Sequence, residues 1–199
     1  MKKFFTLIAS AFVAASVNAQ TISFTEAKTA GTLDGATFGT GLVLTVTDKV
    51  DGGKLTIDEN KQFFGTEAAW TKYEFRLKTG GKSDSKNALK LTIPSEGKLI
   101  IAMRSSSSSA SRTVAFKQGD NEIASFEVKD DNATKGNIEG EEGQKTIYNF
   151  YTIESVPAGD INITYNGGTN FYGFNLITST GIQTLIPEEV DAPAYNLQG

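Results

Sequence analysis

Apolar and polar residues alternate along most of the chain after residue 20, and this alternation restricts the fold more than any other feature. Successive side chains of a β-strand point to opposite faces of the sheet, so a period of two residues predicts strands with one buried face. Groups of glycine, asparagine, aspartate and proline separate the alternating stretches and predict turns. The predicted strands are Thr21–Thr25, Leu42–Thr47, Lys54–Asp58, Tyr73–Lys78, Ala88–Ile93, Lys98–Met103, Thr113–Lys117, Glu122–Val128, Thr146–Ile153, Asp160–Tyr165 and Phe171–Ile177.

These short strands with close turns predict an all-β domain over residues 20–178, an antiparallel two-sheet β-sandwich of jelly-roll type. An up-and-down barrel is the alternative architecture. Outside the first 19 residues the only segment with a helical pattern is Glu67–Lys72, which could form one short turn. The alternation also predicts which side chains form the core, namely Leu55, Ile57, Leu89, Leu91, Ile93, Leu99, Ile101, Met103, Val114, Phe116, Ile161, Ile163 and Tyr165.

Residues 1–19 have the pattern of a secretory signal peptide. Two lysines precede an apolar stretch from Phe4 to Ala15, and small or modest residues, Val17-Asn18-Ala19, precede the expected cleavage point. The apolar stretch is shorter than the roughly 20 residues that a membrane-spanning helix needs. We therefore expect an exported protein, either extracellular or on the outer cell surface.

The chain contains no cysteine and no histidine, which excludes disulfides, thiolate nucleophiles, imidazole bases and zinc sites built on these residues. Glycosidases need two carboxyl groups, and the adjacent acidic pairs are Asp58-Glu59, Asp130-Asp131 and Glu141-Glu142. None has the apolar context that would raise the pKa of a carboxyl group. We expect no catalytic residue and no enzyme activity.

No cofactor or metal is expected either. Asp130-Asp131-Asn132 could contribute to a calcium site, but its spacing does not match the EF-hand pattern. The chain without its first 19 residues has 17 basic and 23 acidic residues, and this acidic balance together with export argues against nucleic-acid binding.

Charge is distributed unevenly along the chain. Residues 54–117 contain 12 basic and 6 acidic residues, whereas residues 120–160 contain 3 basic and 10 acidic residues. Solvated faces of opposite sign would explain this pattern. Alternatively, the basic part binds an anionic polymer.

Two polar loops in the basic part are the best candidates for a binding surface. One surrounds Gly80-Gly81, and the other is the serine run Ser105–Ser111 between two arginines. Guanidinium groups bind carboxylates bidentately, and hydroxyl groups hydrogen-bond sugars, so the loops suit an acidic polysaccharide if they converge. Alternatively, Arg76 pairs with an acid across its sheet and the serine run is a plain flexible loop.

Exposed aromatic rings also bind sugars, although aromatic residues of a sandwich more often fill its core. Trp70 is the only tryptophan and lies in a loop-like segment, and Phe63-Phe64, Phe171 and Tyr172 follow it as candidates. The candidate ligand-binding residues are therefore Trp70, Arg76, Lys78, Lys82, Arg104, Arg112 and Tyr172.

Three segments together resemble secreted proteins of Bacteroidetes, the relatives of Bacteroides and Prevotella. The first is KKFFTLIASAFVAASVNAQ, which resembles their signal peptides. The second, VPAGDINITYNGGTNFYGFNLI, resembles the closing strands of β-sandwich modules that accompany pectate-lyase-like and other polysaccharide-degrading domains. The third is TGIQTL followed by APAYNLQG, which resembles the beginning of a type IX-like C-terminal sorting segment. Residues 179–199 are accordingly expected to be a linker and the start of a truncated sorting-like segment.

The resemblance implies a noncatalytic carbohydrate-binding-like module. Together with the basic loops it gives the first hypothesis, a secreted module that binds an acidic, uronate-rich plant or host polysaccharide. A structural or adhesive cell-surface domain without a small ligand is the second hypothesis. It predicts that the two loops diverge and that their arginines have partners within the chain. A polysaccharide lyase or hydrolase is the third hypothesis, and it predicts that two carboxylates, or a carboxylate with a lysine or arginine, converge in one groove.

Overall fold

The computed structural model describes residues 17–179, and every regular element in this range is a β-strand, which confirms the all-β prediction. The strands are β1 (Val17–Ser23), β2 (Thr37–Phe38), β3 (Val43–Asp48), β4 (Thr56–Gly65), β5 (Trp70–Lys78), β6 (Asn87–Ile93), β7 (Gly97–Ser105), β8 (Arg112–Gln118), β9 (Asn121–Val128), β10 (Ala133–Asn137), β11 (Gln144–Tyr148), β12 (Tyr151–Val156), β13 (Gly159–Tyr165) and β14 (Thr169–Ser179).

The strands form two sheets that pack face to face. The large sheet has the order β10-β11-β4-β5-β14-β7-β12, with β1 also paired to β14, and the small sheet has the order β2-β3-β6-β13-β8-β9. Strands that follow each other in the chain, such as β6, β7 and β8, alternate between the sheets. This connectivity confirms the two-sheet sandwich and excludes the up-and-down barrel.

The main core lies between the sheets and contains every side chain that the alternation predicts to be buried. In the large sheet, the rings of Phe171 and Phe174 stack with their centroids 5.7 Å apart. Burial of each large apolar side chain stabilises the fold by about 1.5–3 kcal/mol. A core of this kind explains how a chain without cysteine can maintain its fold.

A second, smaller core lies on the outer face of the large sheet. Its central ring is Phe64, whose centroid lies 5.1–5.7 Å from those of four other aromatic rings. The alternation does not predict this core, because it assigns the outer faces of the strands to solvent. Its members are Phe64, Tyr73, Ala102, Tyr148 and Tyr172, with Ala133 and Phe150 packed against them.

The second core exists because the large sheet curls. Only Asn149 and Phe150 join β11 to β12, although four strands separate β11 from β12 in the sheet order. A flat sheet would hold β11 and β12 about 24 Å apart at about 4.8 Å per strand. The connection between Tyr148 and Tyr151 spans at most about 11 Å. The two edges therefore meet over the outer face and enclose the aromatic rings.

Three local predictions from the sequence differ from the structure. The predicted strand Thr146–Ile153 is divided into β11 and β12, which lie at different edges of the large sheet. Strand β10 was not predicted, because its sequence, ATKGN, has little apolar alternation. The predicted helical turn Glu67–Lys72 is instead a turn closed by a hydrogen bond from Thr66 N to Ala69 O, followed by β5.

The terminal predictions fall mostly outside the described residues. Val17–Ala19 are the first residues of β1, whereas residues 1–16 of the predicted signal peptide lie outside the described range. Ser179 ends β14, and the rest of the predicted linker and sorting-like segment also lies outside that range. Residues 17–179 contain no helix that is long and apolar enough to span a membrane.

Gly173 allows the two cores to approach each other closely. A Cβ atom at this position would lie 2.5 Å from Tyr73 Cε1 and 2.8 Å from the Ile22 carbonyl oxygen. We predict that Gly173→Ala lowers the free energy of unfolding by about 1–3 kcal/mol, because the ring and the strand must both move. Chemical denaturation measures the change.

Gly81→Ala is the matched control. A Cβ atom at Gly81 would lie 3.6 Å from Lys54 Cδ, which is an ordinary contact. This substitution should change the free energy of unfolding by less than about 0.5 kcal/mol, as is usual for surface substitutions. Equal stability of the two variants would contradict the close packing at Gly173.

Candidate functional site

The two polar loops converge at one end of the sandwich. Ser83 N in the first loop donates to Tyr165 O at 2.9 Å, and Ser106 N in the second donates to Gly168 O at 3.0 Å. The first loop is thus bonded to the last residue of β13 and the second to the turn that follows it, between β13 and β14. We call residues 79–86, 105–112 and 166–168 together the loop end. This convergence is the arrangement that the binding hypothesis requires, and it contradicts the divergence expected of the structural alternative.

The loop end adjoins the outer face of the large sheet. Asn170 of β14 is paired with Lys78 of β5 on one side and with Arg104 of β7 on the other. Residues paired directly across strands share a face of the sheet. Their neighbours Leu77 and Phe171 are buried in the main core, so the row of Lys78, Asn170 and Arg104 lies on the outer face.

Arg76 already has a carboxylate partner within the chain. Its Nε and Nη2 donate to the two carboxylate oxygens of Asp58 at 2.7 Å and 3.1 Å, which is the bidentate geometry that arginine favours. This hydrogen bond raises the pKa of the Arg76 guanidinium. The prediction that Arg76 pairs across the sheet is thereby confirmed, since Asp58 is its register partner on β4.

Arg104 is also held by a carboxylate, although through one oxygen only. Its Nε donates to Asp130 Oδ1 at 2.6 Å, and its Nη2 contacts the same oxygen. The guanidinium group also lies over the ring of Tyr148, 4.4 Å from the ring centroid. Arg104 thereby links β7 to the segments that close the second core. Two of the three arginines are therefore partnered, as the structural alternative expects.

Three candidate cations have no such partner. Unlike Arg76 and Arg104, none of Lys78, Lys82 and Arg112 forms an ion pair with a carboxylate within residues 17–179. Lys78 is half-buried and Lys82 is exposed. Arg112 lies against Gly167 and donates from Nη1 to Ser111 O at 3.3 Å. Its buried Nε has no hydrogen-bond partner among the described residues.

The uneven charge of the sequence is largely neutralised in the fold. Ion pairs join the basic and acidic parts of the chain, namely Lys72–Glu141, Lys90–Asp160, Lys98–Glu154, Arg104–Asp130 and Lys117–Glu122. This supports the interpretation as solvated faces for most of the surface. Of the five cations in residues 17–179 without a carboxylate partner, three are Lys78, Lys82 and Arg112, and the others are Lys49 and Lys135.

The serine run is an ordered turn rather than a plain loop. Ser105 Oγ donates to Ala110 O at 2.7 Å and accepts from Ser107 N at 3.1 Å, and Ser109 N donates to Ser107 Oγ at 3.3 Å. Beside it lies an open pocket of about 320 Å³. The pocket is lined by Ser107–Ser111, Glu127, Lys129, Asp130 and Asp131. Because three carboxylates line it, the pocket itself does not suit an anionic group.

The two predicted aromatic residues lie elsewhere. Trp70 is the first residue of β5 rather than part of a loop, and it is 37% exposed with Phe63 edge-on against it. It lies eight residues before Lys78, or about 26 Å along an extended strand, so it does not share a compact site with the loop end.

Tyr172 is completely buried in the second core and cannot stack on a sugar from the surface. Its hydroxyl group donates to Asn60 Oδ1 at 2.6 Å, and burial raises its pKa to about 12. Phe64 and Phe171 are fully buried as well. These aromatic candidates therefore fill the cores, which is the alternative that the sequence left open.

Among the adjacent acidic pairs, Asp130-Asp131 lines the pocket beside the serine turn together with Glu127 and Lys129, which is the convergence that the lyase or hydrolase hypothesis expects. Asp58 is bonded to Arg76 and Asp130 to Arg104. The hydrogen bond from Lys72 lowers the pKa of Glu141. Residues 17–179 contain no group of three or more histidine, cysteine, aspartate or glutamate side chains that could hold a metal ion.

Sequence reasoning missed Asn170. The alternation contained a signal, because Asn170 precedes the core residue Phe171 and must face the other way. That signal does not distinguish Asn170 from other outward-facing residues. Only its pairing with Lys78 and Arg104 places it in the site.

Comparisons with known proteins do not assign the chain to a family. No protein-family model matches it, and no curated protein shows significant similarity to it. One solved structure with similarity comes from work described as "The complexity of the Ruminococcus flavefaciens cellulosome reflects an expansion in glycan recognition". The two chains are 16% identical, the match covers 68% of this chain and 81% of the other, and the TM-score is 0.33. A likeness this low carries no argument about function.

Arg104 is predicted to act mainly in stability. The side chains of Arg104 and Asp130 are only 17% and 18% exposed. Arg104→Ala leaves the Asp130 carboxylate without its partner and uncovers the ring of Tyr148. We expect a loss of about 1–3 kcal/mol in the free energy of unfolding, and a double-mutant cycle with Asp130→Asn should show strong coupling.

The exposed pair Lys98–Glu154 is the control for this cycle. An exposed ion pair contributes little to stability, so its cycle should give a coupling energy close to zero. Equal coupling in the two cycles would mean that the Arg104 pair is an ordinary surface contact.

Proposed function

We propose that this chain is an exported, noncatalytic carbohydrate-binding-like β-sandwich module that binds polysaccharide at the loop end. The observation that carries the proposal is the convergence of both polar loops at the β13–β14 turn, where Lys82 and Arg112 lack carboxylate partners and Lys78, at the end of β5, adjoins them. Unpaired cations beside an ordered row of serine hydroxyls provide charged and neutral hydrogen bonds to one ligand.

The ligand that fits this surface is an acidic polysaccharide, such as a uronate-rich plant or host glycan. Lys82 and Arg112 flank the β13–β14 turn, because Ser83 and Thr113 bond to Tyr165 and Asn166 respectively. A carboxylate of the glycan would bind these cations, and its hydroxyl groups would bind the serine turn. The acidic pocket beside Ser107–Ser111 would accept hydrogen bonds from uncharged parts of the sugar chain.

The proposal assigns no catalytic residue, no cofactor and no metal. Export rests on the predicted signal peptide in residues 1–19. Arg76 and Arg104 are assigned to the fold, because each is bonded to a carboxylate.

A structural or adhesive surface domain without a small ligand is the second candidate. The observation that favours it is the pairing of Arg76 and Arg104 within the chain. It predicts no glycan binding, whereas the first candidate predicts binding that depends on Lys82 and Arg112.

Affinity electrophoresis separates the two candidates. The protein should be retarded in gels that contain polygalacturonate, and the double variant Lys82→Glu/Arg112→Glu should lose this retardation. The matched control is Lys49→Glu/Lys135→Glu, which makes the same change in net charge at two cations that also lack carboxylate partners but lie outside the loop end. The control should keep its retardation in polygalacturonate.

Each outcome decides between the candidates. If the unaltered protein is retarded by neither polygalacturonate nor neutral glycans, the binding proposal fails and the structural candidate remains. If both double variants lose retardation equally, the effect is one of overall charge and the loop end is not the site. A thermal unfolding curve for each variant establishes that it is folded.

A further inference from the structure

We infer that Asn170 is a ligand-contacting residue, whose side-chain oxygen accepts a hydrogen bond from a sugar hydroxyl group. The inference deepens the proposed function and rests on it. Its basis is the set of buried polar atoms in the described residues that have no hydrogen-bond partner, and the position of these atoms in the fold.

Asn170 is an exception among the buried polar side chains of residues 17–179. It is 2% exposed, and no hydrogen-bond donor of the described residues reaches its Oδ1. By contrast, Asp48 accepts from Lys54 N and Leu55 N, and Asn87 Oδ1 accepts from Lys54 N at 2.9 Å. A buried polar group without a partner destabilises a fold, so its presence requires a cause.

The unpartnered atoms are concentrated at the proposed site. Three buried side-chain atoms of the described residues lack partners, namely Gln20 Oε1, Arg112 Nε and Asn170 Oδ1. Two of the three are at the loop end or adjoin it. Arg112 lies against Gly167, three residues before Asn170, and three residues span at most about 11 Å.

The two atoms are chemically complementary to one kind of ligand. Arg112 Nε is a donor and needs an acceptor, whereas Asn170 Oδ1 is an acceptor and needs a donor. A glycan that carries both a carboxylate and free hydroxyl groups supplies both. A polymer with only one kind of group would satisfy only one of the two atoms.

The side chains on either side of Asn170 determine how a ligand can reach it. Lys78 and Arg104 flank it on the outer face. Arg104 is fixed by Asp130 and Tyr148, whereas Lys78 forms no ion pair with a carboxylate of residues 17–179 and can move without breaking one. The ligand would therefore enter on the Lys78 side, where the ammonium group can follow its carboxylate.

Calorimetric titration with a short galacturonate oligomer tests the inference with Asn170→Ala. We expect binding about tenfold weaker than that of the unaltered protein, which is the effect of one lost hydrogen bond. We also expect the denaturation midpoint to fall less than that of Asn87→Ala, because both substitutions remove buried atoms but only Asn87 loses hydrogen bonds within the chain. A purely structural asparagine would give the opposite pattern.

Asn87→Ala is the matched control, because Asn87 is also buried but has hydrogen-bond partners. It should lower the denaturation midpoint and leave the affinity of the folded protein unchanged. A midpoint for Asn170→Ala that falls as far as that of Asn87→Ala would show that its oxygen has a structural partner, such as a buried water, and would overturn the inference.

The outcomes separate the inference from the proposed function. If the unaltered protein binds the oligomer and Asn170→Ala binds it equally well, the inference is overturned and the proposed function stands. If the unaltered protein binds neither the oligomer nor any polymeric glycan, the proposed function fails and the assignment of Asn170 fails with it.

Discussion

Both hydrophobic cores depend on an irregularity at Tyr172 in strand β14, where the alternation of side chains between the two faces of the sheet is interrupted. In a regular strand, residues three apart face opposite sides of the sheet. The register shifts between Phe171 and Gly173, and as a result Phe171 and Phe174 both face the main core while Tyr172 faces the second core. The same strand pairs with β5, β7 and β1. One irregular residue therefore joins the sandwich to the aromatic cluster on its outer face.

The curl of the large sheet decides which charged residues are free. When the edges of that sheet meet, Tyr148 and Asp130 reach Arg104 and hold it. Arg76 is held by its register partner Asp58. In the proposed function, binding is left to Lys82 and Arg112, which lie on the loops at the end of the sandwich. Stability and binding are thus assigned to different residues of one basic segment.

The alternation predicted most strands and the side chains of the main core, because burial of one face is a local property of each strand. It did not predict the second core, since Tyr172 is outward-facing in the pattern and becomes buried only when distant strands fold over it. The division of Thr146–Ile153 into two strands was missed for the same reason. A local pattern contains no information about which edge of the sheet a strand joins.

The candidate site was predictable in part. The sequence identified the two polar loops and made binding conditional on their convergence. The hydrogen bonds from both loops to residues at the β13–β14 turn satisfy that condition. The pairing of Arg76 across its sheet was foreseen, but the pairing of Arg104 was not predictable, because Asp130 is distant in sequence from it. Net charge by segment was misleading for most of the surface, since ion pairs join the basic and acidic parts of the chain.

The central claim is that an acidic glycan binds at the loop end, and nuclear magnetic resonance titration of the isotope-labelled protein tests it most directly. With a galacturonate oligomer, the account predicts shifts in the backbone amide signals of residues 79–86, 105–112 and 166–170, with the β4–β5 hairpin around Trp70 unchanged. Shifts confined to that hairpin, or no shifts at concentrations that saturate weak glycan binding, would contradict it.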